Sequence, residues 1–507
     1  MKPGRYAGYA LGLLTATNLL NYVERNAIFA LFEPLKRDLA LTDGQLGWLG
    51  TAYVLTFSLA SLPLGVLGDL RSRRAVIAGG IVVWSVGTVL SGLAFGFGTL
   101  FVARALVGFG GAAAAAGATS MVADYFAGAK RALAMGIFMA GLAVGGVLGI
   151  LIAGQLEALY GWRVAFLVLG IPGFGLAGLV LRLVDPSRPL PIGTLRQELE
   201  AIGLGVGSML RACAPMLLGL VAGGLGAWTL DQRFGASSRL DAAALLTMAG
   251  LGLAWNIRVW VKRNRLAAAD RDAGDLVIDA AVGDLKRAWS VVLGTPTLLF
   301  VFVGGALISF GMNGIVAWTP TFITRALGLS TAQATRMLGL AGLVAGTAGT
   351  LAGGWIADAL KRRWPNARVL VTTTSFVLGA PLAGLLLSLR NPTLFVPLFY
   401  AAFFLLTMYN GPLTATIFDV VPARIGTTVV GAYLLFIHIA GDSIAFPLVG
   451  MLSDRFGLDR AIYLLPAAAL VGGLVVLGAA RFLRTDIGRA ERALAGGDPG
   501  ASPRPVG

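Results

Sequence analysis

The stretch Thr17–Asn26, TNLLNYVERN, decides the fold class because it places a carboxylate and a guanidinium inside an apolar run long enough to cross a membrane. At helical spacing Asn18, Asn21 and Arg25 share one face. A charged side chain at the bilayer centre costs about 2.5 to 3.5 kcal/mol, so Glu24 and Arg25 must face a protein interior or a wet cavity. Two interpretations stay open: an internal ion pair that fixes helix packing, or a proton or substrate site.

The composition agrees with a membrane protein. The chain has 507 residues, of which 57% are hydrophobic and 13% charged, and its mean hydropathy is +0.80. These values are typical of an all-α polytopic membrane protein. The net charge of +15 comes from Lys and Arg in short loops between apolar runs, which indicates membrane orientation and not a nucleic-acid partner.

Long apolar runs predict two blocks of spans with an extra pair between them. The first block is predicted at Tyr6–Phe32, Gly44–Leu67, Ala75–Phe95, Thr99–Ala123, Ala132–Glu157 and Arg163–Val184. The second block is predicted at Thr297–Ile323, Ala332–Ala357, Val369–Leu389, Thr393–Asp419, Thr427–Leu452 and Ala461–Leu483. The extra runs are Ala214–Leu230 and Ala242–Val261. The total is about fourteen spans, each long enough for a hydrocarbon core of about 30 Å.

The span pattern predicts the domain organisation and the orientation. We expect an N-terminal six-helix half at 1–185, a cytoplasmic linker with the extra helix pair at 186–295, a C-terminal half at 296–485 and a disordered cytoplasmic tail at 486–507. The basic clusters fall on one side of the membrane if both termini are cytoplasmic. The predicted location is the inner (cell) membrane of a bacterium.

The two blocks repeat each other. LALTDGQ at Leu39–Gln45 is echoed by LGLSTAQ at Leu327–Gln333, and GVLGD at Gly65–Asp69 by GWIAD at Gly354–Asp358, with basic residues after each Asp. Three glycines of the first block also recur at identical spacing: Gly145, Gly154 and Gly161 match Gly441, Gly450 and Gly457. Two parallel six-helix halves are therefore predicted.

Four of these segments together resemble the major facilitator superfamily. They are GVLGD with its basic loop, the echo at Asp358, RALVGFG from Arg104 and YGWRVAF from Tyr160. Within that superfamily NYVER, GPL, DVVP and HIAGD, which begin at Asn21, Gly411, Asp419 and His438, resemble the spinster branch. The resemblance implies the major facilitator fold, and a transporter of lysophospholipids or sphingosine phosphate that works by alternating access.

The repeat separates recurring charges from unique ones. Asp69 and Asp358 recur with basic neighbours, so we interpret them as cytoplasmic gate elements; the alternative is a simple insertion signal. The predicted gate residues are Asp69, Arg73, Arg74, Asp358 and Arg362.

Glu24, Arg25, Arg104, His438 and Asp442 have no counterpart in the other half, which favours a role in transport. Burial favours the neutral form of the Glu24 carboxyl, whereas the neighbouring arginines favour its charged form. This opposition would let Glu24 exchange a proton near neutral pH. Proton coupling is therefore predicted at Glu24, with Asp442 and His438 as further candidates. The alternative for His438 is a lone intramembrane His that is bonded to a hydroxyl.

An anionic headgroup needs a fixed positive charge, and Arg can fork onto a phosphate. The predicted substrate contacts are Arg25, Arg104, Asn21, Tyr22, Tyr53, Asn313, Trp318, Tyr409 and Asn410. The aromatic and amide side chains among them could equally serve helix packing.

The function predicted from these residues is secondary active transport of an amphiphilic or anionic, lysophospholipid-like molecule, coupled to protons. The alternative within the superfamily is a drug or organic-anion/proton antiporter, and outside it a membrane receptor or channel. An enzyme is not expected, because the sequence has no nucleophile with a base, no metal cluster and no phosphate loop. The expected partners are a small-molecule or lipid substrate, protons and membrane lipids; we expect a monomer with no cofactor and no metal.

Overall fold

The computed structural model describes residues 3–70, 73–126, 129–185, 286–421 and 425–495, and isolated positions between 218 and 283. The first block of sequence forms α1 (Pro3–Ala30), α2 (Phe32–Leu39), α3 (Asp43–Leu70), α4 (Arg73–Gly92), α5 (Phe97–Tyr125) and α6 (Ala129–Leu181).

The second block contains shorter pieces because two spans include π-helical turns. Its helices are α7 (Pro296–Leu327), α8 (Thr331–Ala341), α9 (Thr347–Lys361), α10 (Ala367–Ser388), α11 (Pro392–Thr407), α12 (Asn410–Val420), α13 (Gly426–Ile437), α14 (Ser443–Phe456), α15 (Leu458–Ala461), α16 (Leu464–Leu477) and α17 (Leu483–Ala495). The π-helical turns are Gly342–Gly346 and His438–Asp442.

Helices cover the positions of the predicted spans of both blocks, but α1 and α3 are not among the described helices that meet the length and hydropathy expected of a span. Among the described residues, nine helices are long and apolar enough to cross a membrane. One of them, Leu133–Leu181, has 49 residues and contains non-helical Gly161, at the predicted boundary between the fifth and sixth spans. The extra spans at 214–230 and 242–261 are described only in part, at positions that are helical, so the total of about fourteen stays a prediction.

The repeated LTDGQ and LSTAQ segments are helix starts with the same capping geometry. The Thr42 hydroxyl accepts from the Gln45 backbone N–H at 3.1 Å, and the Gln45 side chain accepts from the Thr42 backbone N–H at 3.0 Å. Ser330 and Gln333 make the same reciprocal pair at 3.2 and 3.0 Å. Each pair is a capping box, which satisfies amide groups that a helix start leaves free.

The matched glycines also have matched structural roles. A Cβ at Gly145 would lie 2.3 Å from the Leu19 carbonyl oxygen, and one at Gly441 would lie 2.7 Å from that of Ala306. Gly161 and Gly457 both have positive φ, at 82° and 83°, a region that favours glycine. The repeat is therefore a repeat of close helix contacts and of turns.

The described contacts divide the chain into two compact units. The first unit comprises Met1–Ala281, Val316–Gly339 and Phe446–Ala461, and in it α1 packs along α6 while α4 and α3 pack on α5. The second comprises Val282–Ile315, Leu340–Ala445 and Ile462–Gly507, and in it α10 packs on α16 and α11. The first unit includes two segments that the sequence assigned to the C-terminal half, and both contain turns between spans.

Candidate functional site

Glu24 lies inside the first unit with no exposed surface. Its carboxylate accepts hydrogen bonds from the Trp84 indole N–H at 3.2 Å and from the Thr88 hydroxyl. Both donors are on α4, which the close approach of α4 and α5 holds in place. The carboxylate is thus bound by two neutral donors.

Arg25, the next residue, has a different set of neighbours. Its guanidinium carbon lies 5.2 Å from the centre of the Tyr22 ring and 5.1 Å from that of Tyr53. One guanidinium N–H also donates to the Tyr22 hydroxyl at 3.5 Å. A guanidinium is attracted to the faces of aromatic rings, so these two tyrosines hold the Arg25 guanidinium in position.

Arg104 is fully buried on α5 and binds the backbone of α1. Its Nη2 donates to the carbonyl oxygens of Glu24 at 3.0 Å and of Arg25 at 3.4 Å. Its Nε and Nη1 have no hydrogen-bond partner among the described residues. Arg104 therefore lies near Glu24 as expected, but it binds the backbone carbonyl of Glu24 and not the carboxylate.

Asn21 completes this group, which we name the first polar cluster: Asn21, Tyr22, Glu24, Arg25, Tyr53, Trp84, Thr88 and Arg104. The Tyr53 hydroxyl donates to the Asn21 side-chain oxygen at 3.3 Å. A Cβ at Gly111 would lie 2.7 Å from the Asn21 amide nitrogen, so glycine provides the room for this pair.

A second polar cluster, comprising Ser309, Asn313, His438 and Asp442, lies in the second unit. The π-helical turn brings the His438 Nδ1 to 3.0 Å from one carboxylate oxygen of Asp442. The Ser309 hydroxyl donates to Asp442 at 3.4 Å and accepts from the Asn313 amide at 3.0 Å. Tyr409, in the same unit, packs its ring 5.0 Å from that of Phe376. Asp442 is fully buried, whereas the His438 side chain is 20% exposed. Single π-helical turns occur frequently at functional sites.

Two of the predicted substrate contacts have other neighbours. Trp318 is buried in the first unit, where its ring centre lies 5.2 Å from that of Phe32. Asn410 is exposed and donates to the Thr350 hydroxyl at 3.3 Å and to the Thr407 carbonyl at 3.1 Å. The structure therefore assigns these two residues packing and hydrogen-bonding contacts outside both clusters.

The predicted gate residue Asp358 pairs with Arg368 on α10 at 2.8 Å, and not with the adjacent basic loop, where Arg362 is exposed. Arg368 also binds Asp419 at 2.6 Å, and Lys361 binds the same carboxylate at 2.8 Å. We name Asp358, Lys361, Arg368 and Asp419 the basic-loop cluster.

In the first half, Arg73 pairs with Asp124, and Arg74 donates to the Leu183 carbonyl at 3.3 Å. The side chain of Asp69 lies outside the described part of the chain, and with it any contact to the basic loop.

A further ionic group, the helix-end cluster, comprises Glu33, Lys36, Asp43, Arg325, Ser453 and Asp454. Asp43 is buried and accepts a two-pronged bond from Arg325 at 2.8 and 2.9 Å, with Lys36 at 2.6 Å and the Ser453 hydroxyl as further donors. Arg325 also donates to Glu33 at 2.9 Å. The cluster thus connects the end of α7 to the start of α3.

The start of α3 is also tied to α14. The Asp454 carboxylate accepts from the backbone N–H groups of Asp43 at 2.8 Å and of Gly44 at 2.9 Å, which caps α3. A Cβ at Gly450 would lie 2.2 Å from the Asp43 carbonyl oxygen. Both helices therefore meet at backbone distance here.

Comparison with known proteins identifies the fold. Residues 14–442 match the Major Facilitator Superfamily. The chain belongs to this superfamily. A bacterial homologue of the human lysosomal transporter Spinster, solved in an inward-facing, unoccupied conformation, has the same fold, with a TM-score of 0.72 at 19% identity over 96% of this chain and 99% of the other.

The curated relatives of this superfamily member include spinster proteins. Spinster homolog 3 of Danio rerio is 24% identical over 523 residues, covering 97% of this chain and 88% of the relative. Human spinster homolog 1 is 26% identical over 408 residues, covering 72% and 75%. An MFS-type efflux pump of Mycolicibacterium smegmatis is 26% identical over 490 residues, covering 95% and 94%. The chain is thus a membrane transporter of the Major Facilitator Superfamily, similar in sequence to spinster proteins, and not an enzyme.

Sequence reasoning missed several partners of the predicted residues. Trp84, Thr88 and Ser309 are apolar or hydroxyl side chains within spans and carry no sequence signal of a site. Asp43 lies within the repeated LALTDGQ segment, and a charge that its counterpart LGLSTAQ lacks could have identified it.

Proposed function

We propose that this transporter moves an amphiphilic or anionic, lysophospholipid-like molecule across the membrane by alternating access, coupled to protons. The observation that carries the proposal is the different environment of two adjacent charges in α1. Glu24 is bound by an indole and a hydroxyl, whereas Arg25 lies against two tyrosine rings. A titratable group and a permanent cation thus occupy separate surroundings one residue apart.

Arg25 is the proposed contact for the anionic headgroup. A guanidinium can form two parallel hydrogen bonds with a phosphate, and the flanking tyrosines limit the rotamers that it must give up on binding. Arg104 acts with it by holding the main chain of α1 at Glu24 and Arg25. Its unpartnered Nε and Nη1 could also reach an anion, so we retain it as a substrate-contact candidate.

The remaining substrate-contact candidates are described for each unit by itself. They are hydrogen-bonding groups of intermediate or low exposure, which suit a polar headgroup: Asn21, Tyr22 and Tyr53 in the first unit, and Asn313 and Tyr409 in the second. Trp318 and Asn410 are weaker candidates, because both already have partners outside the clusters.

We propose Glu24 as the proton carrier, and the His438–Asp442 pair as a second carrier. Glu24 can be neutral or charged while its neutral donors keep their positions, so a change of protonation need not unfold the site. The His438–Asp442 pair joins a partly exposed ring to a fully buried carboxylate, which suits transfer between water and the interior.

We propose a cytoplasmic gate element in each unit. In the first unit the element comprises Asp69, Arg73 and Arg74. In the second it comprises the basic-loop cluster with Arg362, where Arg368 pairs with Asp419 at 2.6 Å. The positive-inside rule supports cytoplasmic termini in the inner membrane of a bacterium, and we expect the protein to work as a monomer.

Uptake into proteoliposomes tests this function. The purified protein is offered a lysophospholipid carrying a phosphate, and a matched neutral analogue, with and without a pH gradient. Arg25→Lys should weaken binding of the charged substrate by about 1 to 3 kcal/mol, the range for a lost charge-assisted bond, and its uptake should fall accordingly. Binding of the neutral analogue should change much less. Arg104→Lys is expected to have the same selective effect. Equal losses for both substrates in the Arg25 variant would mean that this arginine only holds helices together.

The second candidate function is a drug or organic-anion antiporter with protons. The similarity to the mycobacterial efflux pump over almost the whole chain favours it. Competition separates the two functions: single-chain phospholipids should compete for an amphiphile transporter, and lipophilic cations for a drug pump.

A further inference from the structure

The last described helix, α17, has two contrasting faces. Leu483, Asp486 and Ala490 are buried on one side. Arg484, Arg489 and Arg492 are exposed and fall on the opposite side at helical spacing. Arg481, in the short 3₁₀ turn before the helix, is exposed too. Among the described side chains of α17, Glu491 is the one acidic residue that is exposed.

Asp486 fastens this helix to the start of α7. Its carboxylate accepts from the Thr297 backbone N–H at 3.0 Å and from the Thr297 hydroxyl at 2.7 Å, and it is only 2% exposed. Thr297 is the second residue of α7, where backbone N–H groups are free of intrahelical partners and a negative charge is favourable. Helix α17 also packs on α12. It is therefore a fixed part of the second unit.

The position of α17 limits what its exposed face can meet. The span Leu458–Arg481 ends at Arg481, and α17 begins two residues later. A helix that leaves a span with so short a connection begins at the level of the lipid headgroups. Clusters of basic residues that directly follow a span attract the headgroups of anionic lipids.

The arginines keep most of their hydrogen-bonding capacity. Arg489 pairs with Asp486 at 3.3 Å, Arg492 donates from Nε to the Gly488 carbonyl at 2.9 Å, and the Arg481 guanidinium lies 5.7 Å from the Phe482 ring centre. Each guanidinium has five N–H donors, so these contacts leave donors for a phosphate.

We propose that the exposed face of α17 binds anionic phospholipid headgroups of the leaflet at which the last span ends, and that this binding holds Asp486 on Thr297. The occupant is a phosphodiester of the surrounding bilayer, separate from the transported molecule. Four exposed arginines against one exposed glutamate supply the charge complementarity. Because Asp486 caps α7, the lipid composition of that leaflet affects the stability of the α7 start.

Hydrogen exchange on the full-length protein in vesicles tests this proposal. Protection of the amides in 483–495 is compared between vesicles of neutral phosphatidylcholine and vesicles that also contain phosphatidylglycerol. Anionic lipid should raise the protection of these amides. In the double variant Arg484→Gln with Arg492→Gln, this increase should be smaller by roughly a factor of five for each arginine removed. This double variant leaves the Asp486 contacts with Thr297 and Arg489 in place.

The matched control is Arg455→Gln with Arg460→Gln, which removes two exposed arginines near the start of the same span. It should keep the response of 483–495 to anionic lipid. Equal protection in both vesicles, or an undiminished response in the Arg484 and Arg492 variant, would overturn the proposal. A response that appears only when an acidic protein or nucleic acid is added would assign the face to that partner and overturn it too.

Discussion

The helix-end cluster gives the sharpest prediction, because Asp43→Asn changes one charge and almost no volume. In the wild type Asp43 takes two bonds from Arg325 and one each from Lys36 and Ser453. The amide can accept from one of these donors but carries no charge. The cap of α3 by Asp454 uses backbone N–H groups and is unaffected.

The magnitude follows from the bonds that weaken. A hydrogen bond to a charged group contributes about 1.5 to 3 kcal/mol. Arg325 is 27% exposed and keeps its bond to Glu33, so solvent and a remaining partner reduce the loss. We expect Asp43→Asn to lower the free energy of separating the end of α7 from the start of α3 by about 2 to 3 kcal/mol. The population of the separated states then rises by a factor of about 30 to 150.

Accessibility of a buried position measures that population. Thr321 on α7 is 2% exposed, and its hydroxyl has no partner among the described residues, so Thr321→Cys should fold. In a Cys213→Ser background, a membrane-impermeant maleimide should label this cysteine much faster when Asp43→Asn is added. Arg455→Gln, which removes an exposed arginine beside Asp454, should leave the labelling rate unchanged.

A double variant checks that the effect comes from the pair. Asp43→Asn with Arg325→Gln should accelerate labelling little more than either change alone, because the shared bonds are lost once. If the labelling rate of the Asp43 variant stays within about twofold of wild type, the helix-end cluster does not hold these segments together and the reasoning is wrong.

Glu24→Gln should leave the protein folded and abolish accumulation driven by a pH gradient, since the amide can still bind Trp84 and Thr88 but cannot titrate; gradient-driven uptake that persists would move the proton to Asp442. Gly450→Ala should lower thermal stability by about 1 to 3 kcal/mol through overpacking against Asp43, whereas Gly354→Ala, where nothing lies within 4 Å, should not. Deleting 214–261 with a joining linker should leave substrate selectivity intact, because the two repeated halves align without that segment; a folded deletant with altered selectivity would show that the segment contributes to substrate recognition.

The fold could be predicted from the sequence because its main determinants are local. Apolar runs give span positions, and the capping boxes at Thr42 and Ser330 give two helix starts. Gly161 and Gly457 mark turns whose positive φ a sequence repeat can reveal. These signals depend on neighbours within a few residues, so no tertiary information is needed to interpret them.

The candidate sites depend on contacts that no local pattern specifies. Arg104 lies 80 residues from Glu24, and its bond goes to a carbonyl oxygen, which every residue has. Arg368 and not Arg362 meets Asp358, because the rotation of α10 about its axis selects the partner and the loop sequence does not.

The same reasoning explains why α1 was informative and still ambiguous. The sequence shows that Glu24 and Arg25 are both inside the membrane, where each needs compensation. It does not show that neighbouring positions on a helix point about 100° apart into different surroundings until α4 and α3 are packed beside it. Trp84 and Thr88 then bind the carboxylate, and Tyr53 flanks the guanidinium. Because these two side chains have separate partners, the titration that we propose for Glu24 need not remove the ring contacts of Arg25. We therefore expect the proposed coupling to act through the attraction between the two adjacent charges and through the α1 main chain, which Arg104 binds at both residues.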